Sequence, residues 1–287
     1  MEVWEAIVLG IVQGLTEFLP ISSSGHLKAM REVLGFQELG LTFDVFVHLA
    51  TLVAVVLYFW RDLVAIATGK VLWPVTVRLT IATAPIFLVG YLAESYLESL
   101  TAWAVVGGWV FSGIYLLLTR GLAGAGKYAE MSVAKALAVG LVQCVALFPG
   151  VSRSGSTITA GLWLGIERTE AARFSFLLAI PAILGASCYK GLQLFMDGGG
   201  AELFNTQLAI AMVASFVVGL VAIHCLLIVV RSNGFYRFAW YNFAAAGLFA
   251  LYLWQSPAAP VEQDESASLP RPAAVQLTGG AVLTDED

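Results

Sequence analysis

Two short stretches of the chain carry residue types that could do chemistry on an anion. The first is Gln13-Gly-Leu-Thr-Glu17-Phe-Leu-Pro20-Ile-Ser22-Ser23-Ser24-Gly25-His26. Gln13 and Glu17 are four residues apart and share one face of a helix. Glu17 also lies in an apolar segment, where an ionisable group is expensive and needs a partner. The serines, Gly25 and His26 supply hydroxyl nucleophiles, exposed backbone amides and a base that titrates near neutral pH. A plainer reading of the same serines is a helix N-cap, their commonest local role.

The second stretch is Phe148-Pro149-Gly150-Val151-Ser152-Arg153-Ser154-Gly155-Ser156-Thr157. An arginine between two serines in an apolar setting requires an anionic partner. Glu17 could be that partner, or an oxyanion ligand could. The ligand is favoured because a Gly-rich backbone leading into a helix at about 155–165 presents amides and a positive dipole end to phosphate. Other polar residues say less. Asp44 and His48 open an apolar segment and either line the same cavity or sit at a membrane interface, while His224 reads as a satisfied core histidine. Cys144, Cys188 and Cys225 are scattered and odd in number, which indicates small core residues rather than disulfides or a thiolate metal site.

The elements that must position these residues are apolar helices. Of 287 residues, 59% are hydrophobic and 12% charged, against about a quarter charged in soluble domains. Apolar segments run at about 3–19, 43–60, 76–92, 101–119, 133–149, 171–190, 208–230 and 236–254. The segments at 3–19 and 133–149 each end in a proline and a Ser/Gly cluster. Broken helices are tolerated at membrane depth only where protein or a water-filled cavity receives the freed backbone groups. Both are therefore expected to be re-entrant, which leaves six spans in an all-α polytopic fold.

The two clusters are also related to each other. Residues 10–25 lie over residues 140–155 without a gap, pairing Gln13 with Gln143, Phe18 with Phe148, Ser22 with Ser152, Ser24 with Ser154 and Gly25 with Gly155. Three spans between the copies would orient them oppositely, as an inverted-topology repeat. The expected organisation is one membrane domain over 1–254, with repeats of about 1–120 and 131–254, and a disordered acidic tail over 255–287. Loops entering from opposite faces can then meet near the midplane. Arg153 falls opposite Ser23, so one half could attack where the other clamps.

Short-loop charges orient the chain. Arg61, Lys70, Arg120, Lys127, Arg168, Arg231 and Arg237 gather on one side, expected to be cytoplasmic, with both termini outside. Trp60, Trp73, Trp103 and Trp240 read as an interfacial belt. The net charge of −5, without a basic face, argues against a nucleic-acid partner.

These motifs resemble the undecaprenyl-pyrophosphate phosphatases of the bacitracin-resistance type over nearly all of residues 1–254. The resemblance rests on the Q-x-x-x-E pattern of Gln13 to Glu17, the Ser-rich turn ending at His26, FDVFVHLATL, and P-G-x-S-R-S-x-x-T from Pro149 to Thr157. It implies removal of the terminal phosphate of undecaprenyl diphosphate at the outer, periplasmic face of a bacterial inner membrane. That reaction recycles the lipid carrier for peptidoglycan and confers bacitracin resistance.

The resemblance further implies a divalent cation, Mg2+ or Ca2+, held at Glu17. It implies Ser23 as nucleophile, His26 as catalytic histidine and Arg153 as the diphosphate-binding arginine. Around them Gln13, Ser22, Ser24, Gly25, Ser152, Ser154 and Thr157 would contact substrate. Gln13 replaces a carboxylate common in the family, so a two-carboxylate metal site is not available. In the expected mechanism His26, assisted by Glu17, takes the Ser23 proton, with His26 itself as the alternative nucleophile. A polyprenyl-phosphate transporter or flippase is the rival function, because inverted repeats with broken helices also build transporters. Membrane lipids are expected neighbours, and a homodimer is among the oligomeric states left open.

Overall fold

The computed structural model describes residues 2–35, 41–69, 72–196 and 205–256. Lys70 and the expected tail from 257 onward lie outside the described residues. Among those described there are eleven α-helices and no β-strand: α1 (Val3–Phe18), α2 (Ser23–Leu34), α3 (Leu41–Tyr58), α4 (Trp60–Thr68), α5 (Leu72–Glu98), α6 (Ala102–Leu117), α7 (Val133–Gln143), α8 (Arg153–Trp163), α9 (Arg168–Met196), α10 (Thr206–Arg231) and α11 (Phe238–Gln255). Four of them, α3, α5, α9 and α10, are long and apolar enough to cross a membrane. The other two expected spans fall at α6, with 16 residues, and α11, which continues a 3-10 turn at Phe235–Arg237. These two pack against each other.

The packing follows the sequence offset. The α1 helix lies on α10 and α7 lies on α5, while α3 and α9 pack against each other. A Cβ on Gly10 would stand 2.4 Å from the Ala211 carbonyl oxygen, and one on its match Gly140 would stand 2.5 Å from that of Ala82. Each repeat thus uses a glycine to bring its short helix against the backbone of a long one, a device common where lipid supplies no hydrophobic drive between helices.

The breaks arise locally. Pro20 has no N–H to continue α1, and the chain turns through Ser22 at φ 70° before α2 begins. The α7 helix tightens into a 3-10 turn at Cys144–Leu147, then meets Pro149 and Gly150. Gly150 has φ +87°, and a Cβ there would lie 2.3 Å from the Val105 carbonyl oxygen, so both backbone and space demand glycine. The freed carbonyls are not left bare. Leu19 O accepts from the Ser152 and Ser154 hydroxyls, Pro20 O from Asn242 Nδ2 and Ile21 O from Trp109 Nε1. In the second break Gly150 O accepts from Ser112 Oγ and Ser152 O from the Tyr115 hydroxyl. Donors from α6, α8 and α11 thereby supply what water would supply elsewhere.

Gly108 of α6 lies so close to the second break that a Cβ would stand 2.2 Å from Pro149 O and 2.7 Å from Gly150 C. Because both neighbours are backbone, Gly108→Ala is expected to displace the break. The cost should be about 1–3 kcal/mol, as for other overpacked sites, read as a lower unfolding temperature in detergent. An unchanged unfolding temperature would refute the tight fit.

Composition misjudged one class of residue. Cys188 and Cys225 are exposed and Cys144 is half-buried, rather than all three being core. His224 is likewise exposed and shares a hydrogen bond with the Tyr58 hydroxyl at 3.1 Å. A helix face turned to lipid is as apolar as one turned to the core, so hydrophobicity does not separate the two. The four belt tryptophans are about half exposed or more and stand in the first turns of α4, α5, α6 and α11.

Candidate active site

Glu17 occupies the last turn of α1, and its carboxylate collects groups from four helices. Its Oε2 accepts from Ser23 Oγ at 2.6 Å and from Gln13 Nε2 at 3.2 Å. Its Oε1 accepts from Arg153 Nη2 at 2.9 Å, and His48 Nε2 of α3 stands 3.6 Å from Oε2. Ser23 and Arg153 match across the repeat, each is the first residue of the helix after its break, and both converge on this carboxylate. The two breaks therefore build one cluster from residues 136 positions apart. Both readings of Arg153 find support: one nitrogen takes the protein carboxylate, while Nη1 is buried with no hydrogen-bond partner. A buried guanidinium N–H without an acceptor is costly, and an oxyanion would satisfy it.

The serines divide between chemistry and structure. Ser22 and Ser152 are N-caps whose hydroxyls accept from Gly25 N at 3.3 Å and Gly155 N at 3.1 Å. Ser22 shares a hydrogen bond with Ser24, as Ser152 does with Ser154. Ser152 and Ser154 donate to Leu19 O and so stitch the two breaks together. Thr157 bonds Arg153 O and the Ser175 hydroxyl, and Gly25 packs where a Cβ would stand 2.9 Å from Gly150 Cα. Their hydroxyls thus hold the breaks in place. Helices α2 and α8 begin at the residues that reach Glu17, namely Ser23 and Arg153, so the positive end of each lies at the site.

His26 stands apart from the Ser23 hydroxyl. Its Nδ1 meets Ser22 O at 2.7 Å and its Nε2 meets the Tyr241 hydroxyl at 2.8 Å, while Ser23 Oγ is engaged by Glu17. Direct proton transfer from Ser23 to His26, expected from the sequence, differs from this arrangement. At its φ of 70°, Ser22 presents one carbonyl to both the His26 amide and the His26 ring. Asp44, a second candidate for the cavity, is instead paired with Arg31. Only His48 of that pair reaches Glu17.

Glu17 and Gln13 are the residues that would hold a cation. Among the described residues no three of His, Cys, Asp and Glu cluster as a metal site. Glu17 does offer a carboxylate, however, and Gln13 Oε1 beside it is buried without a hydrogen-bond partner. Those are the hard oxygen donors that Mg2+ or Ca2+ prefers.

Residues 6–248 match the family model described as bacitracin resistance protein BacA. The chain belongs to this family. A relative from Rubrobacter xylanophilus, called undecaprenyl-diphosphatase, is 43% identical over 270 residues, covering 88% of this chain and 99% of that protein. Proteins of the same name from Caldicellulosiruptor bescii and Corynebacterium efficiens are 41% and 38% identical over 278 and 275 residues. These matches cover 88% and 87% of this chain, and 98% and 90% of the respective relatives. Membership agrees with the resemblance drawn from the motifs, and with the four long apolar helices of a multi-pass membrane protein.

Tyr241, Asn242 and Trp109 have no motif around them, and sequence reasoning passed over them as site residues. They reach the first break from α11 and α6 by tertiary packing, and only the buried polar Asn242 in an apolar helix gave a usable signal.

Proposed function

We infer that this chain is an integral membrane hydrolase that cleaves undecaprenyl diphosphate to undecaprenyl phosphate and inorganic phosphate. It would act at the outer face of a bacterial plasma membrane, return the carrier lipid to peptidoglycan synthesis and raise tolerance of bacitracin. The observation that carries this reading is the 2.6 Å hydrogen bond from Ser23 Oγ to Glu17, beside an arginine with one nitrogen unsatisfied.

Arg153 and the first amides of α8 hold the diphosphate. Ser23 Oγ attacks the terminal phosphorus in line, Glu17 takes its proton, and the bond to the bridging oxygen breaks to release undecaprenyl phosphate. Water then attacks the phosphoserine phosphorus and gives up its proton toward His26, while Glu17 returns its proton to the Ser23 oxygen as the bond from that oxygen to phosphorus breaks and phosphate leaves. Ser23 is favoured over His26 as nucleophile because a carboxylate is hydrogen-bonded to its hydroxyl, whereas both His26 ring nitrogens are engaged elsewhere. A divalent cation held by Glu17, Gln13 Oε1 and phosphate oxygens would supply charge neutralisation.

The test is phosphate release from undecaprenyl diphosphate by the purified chain in detergent, with translocation of the same lipid measured in liposomes. Release is expected, with loss of activity in EDTA and recovery on adding Mg2+ or Ca2+. Translocation without release would assign the fold to a lipid carrier and overturn the hydrolase reading.

A further inference from the structure

The geometry points to Tyr241 as a positioning residue that orients the His26 imidazole, kept in its Nδ1–H tautomer by Ser22 O, by donating to Nε2, so that this nitrogen takes a proton by way of the Tyr241 hydroxyl. A backbone carbonyl only accepts hydrogen bonds, so the 2.7 Å contact between Nδ1 and Ser22 O places the ring proton on Nδ1. In the neutral ring Nε2 is then an acceptor, and the hydroxyl 2.8 Å away on Tyr241 donates to it. The ring planes of Tyr241 and His26 lie 20° apart with centroids 5.7 Å apart, and Trp109 meets the imidazole edge-on at 4.9 Å. Polar atoms at both nitrogens and aromatic rings against the imidazole leave it one orientation.

The neighbouring residue makes the contact one of two from the same helix turn. Asn242 is fully buried and donates from Nδ2 to Pro20 O at 3.0 Å. Tyr241 and Asn242 thus bind α11 to the residues on either side of the first break's turn, one through the His26 side chain and one through the backbone. An apolar α11 could pack against α6 without either group. Their placement ties the orientation of His26 to a helix 215 residues away in sequence. This role rests on the reading that His26 works in phosphate release.

The test uses the whole chain, labelled with 15N-histidine, in nanodiscs. The sequence holds three histidines, so His26→Gln, His48→Gln and His224→Gln assign every ring signal. The wild-type spectrum should place neutral His26 in the Nδ1–H form. Tyr241→Phe, which removes only the hydroxyl, should leave His26 in the Nδ1–H form set by Ser22 O, move its Nε2 signal toward that of a nitrogen without a hydrogen-bond donor, and leave the other two histidines unmoved. Loss of this orienting partner should lower kcat about tenfold to a hundredfold with little change in KM. A wild-type His26 in the Nε2–H form overturns the proposal even if the variant fails to fold, as does a variant with an unchanged Nε2 signal or kcat. Full activity in His26→Gln would instead remove His26 from the mechanism, whatever the spectrum of Tyr241→Phe.

Discussion

Arg153→Ala is expected to lower kcat/KM for phosphate release by about three orders of magnitude or more. Removing one preorganised donor from a developing oxyanion costs on the order of a hundredfold to a thousandfold, and a dedicated arginine on a transferring phosphoryl group still more. Arg153 is placed for that role because its Nη2 is anchored on Glu17 at 2.9 Å while Nη1 is buried without a partner. One half of the guanidinium is fixed and the other is offered. Arg153→Lys keeps the charge but cannot present two nitrogens in one plane, so it should recover only part of the rate.

Arg153→Ala also strips a buried carboxylate of its cation, and breaking such a pair costs about 3–5 kcal/mol. A loss of activity could therefore reflect unfolding alone. The double substitution Glu17→Gln with Arg153→Ala removes both charges and should recover stability without recovering activity. Phosphate release near the wild-type rate in folded Arg153→Ala would remove Arg153 from the mechanism.

The sequence showed where the helices break but not what surrounds the breaks. Ser22 lies over Ser152 and Gly25 over Gly155, and each serine hydroxyl accepts from the matching glycine amide, as a Ser-x-x-Gly cap does locally, although Ser22 takes φ 70° and Ser152 φ −81°. The asymmetry was equally readable. The matches to Glu17, Ser23 and His26 are Leu147, Arg153 and Ser156, so only the first copy holds a carboxylate and a histidine. Gln13 and Gln143 show the consequence, since the first donates to Glu17 and the second to the Ala82 carbonyl.

Contacts made between distant helices were not readable. His48 and Asp44 share a helix end in sequence, yet one approaches Glu17 and the other meets Arg31. Tyr241 looked like any aromatic residue in an apolar segment. Side-chain direction across a helix interface depends on how the helices are rotated against each other, and spacing within one helix does not record that. His26 was the costliest case. Its type and position suggested a partner for Ser23, and only the fold shows both of its nitrogens turned elsewhere.

That difference sets the second large expectation: Glu17→Gln should cost as much activity as removing the nucleophile. General-base assistance contributes about a hundredfold to ten-thousandfold, and Glu17 is the group hydrogen-bonded to the Ser23 hydroxyl. The amide keeps the size of the side chain but cannot take a proton, and it leaves Arg153 without its carboxylate. Ser23→Ala is the cleaner companion, because it deletes one hydroxyl and keeps the pair between Glu17 and Arg153. Each single variant should lose about a thousandfold in kcat, and the double variant should lose little more, since groups that act as one unit are strongly non-additive. If the two losses multiplied instead, Glu17 and Ser23 would serve separate steps, and the base for Ser23 would have to be sought at His48.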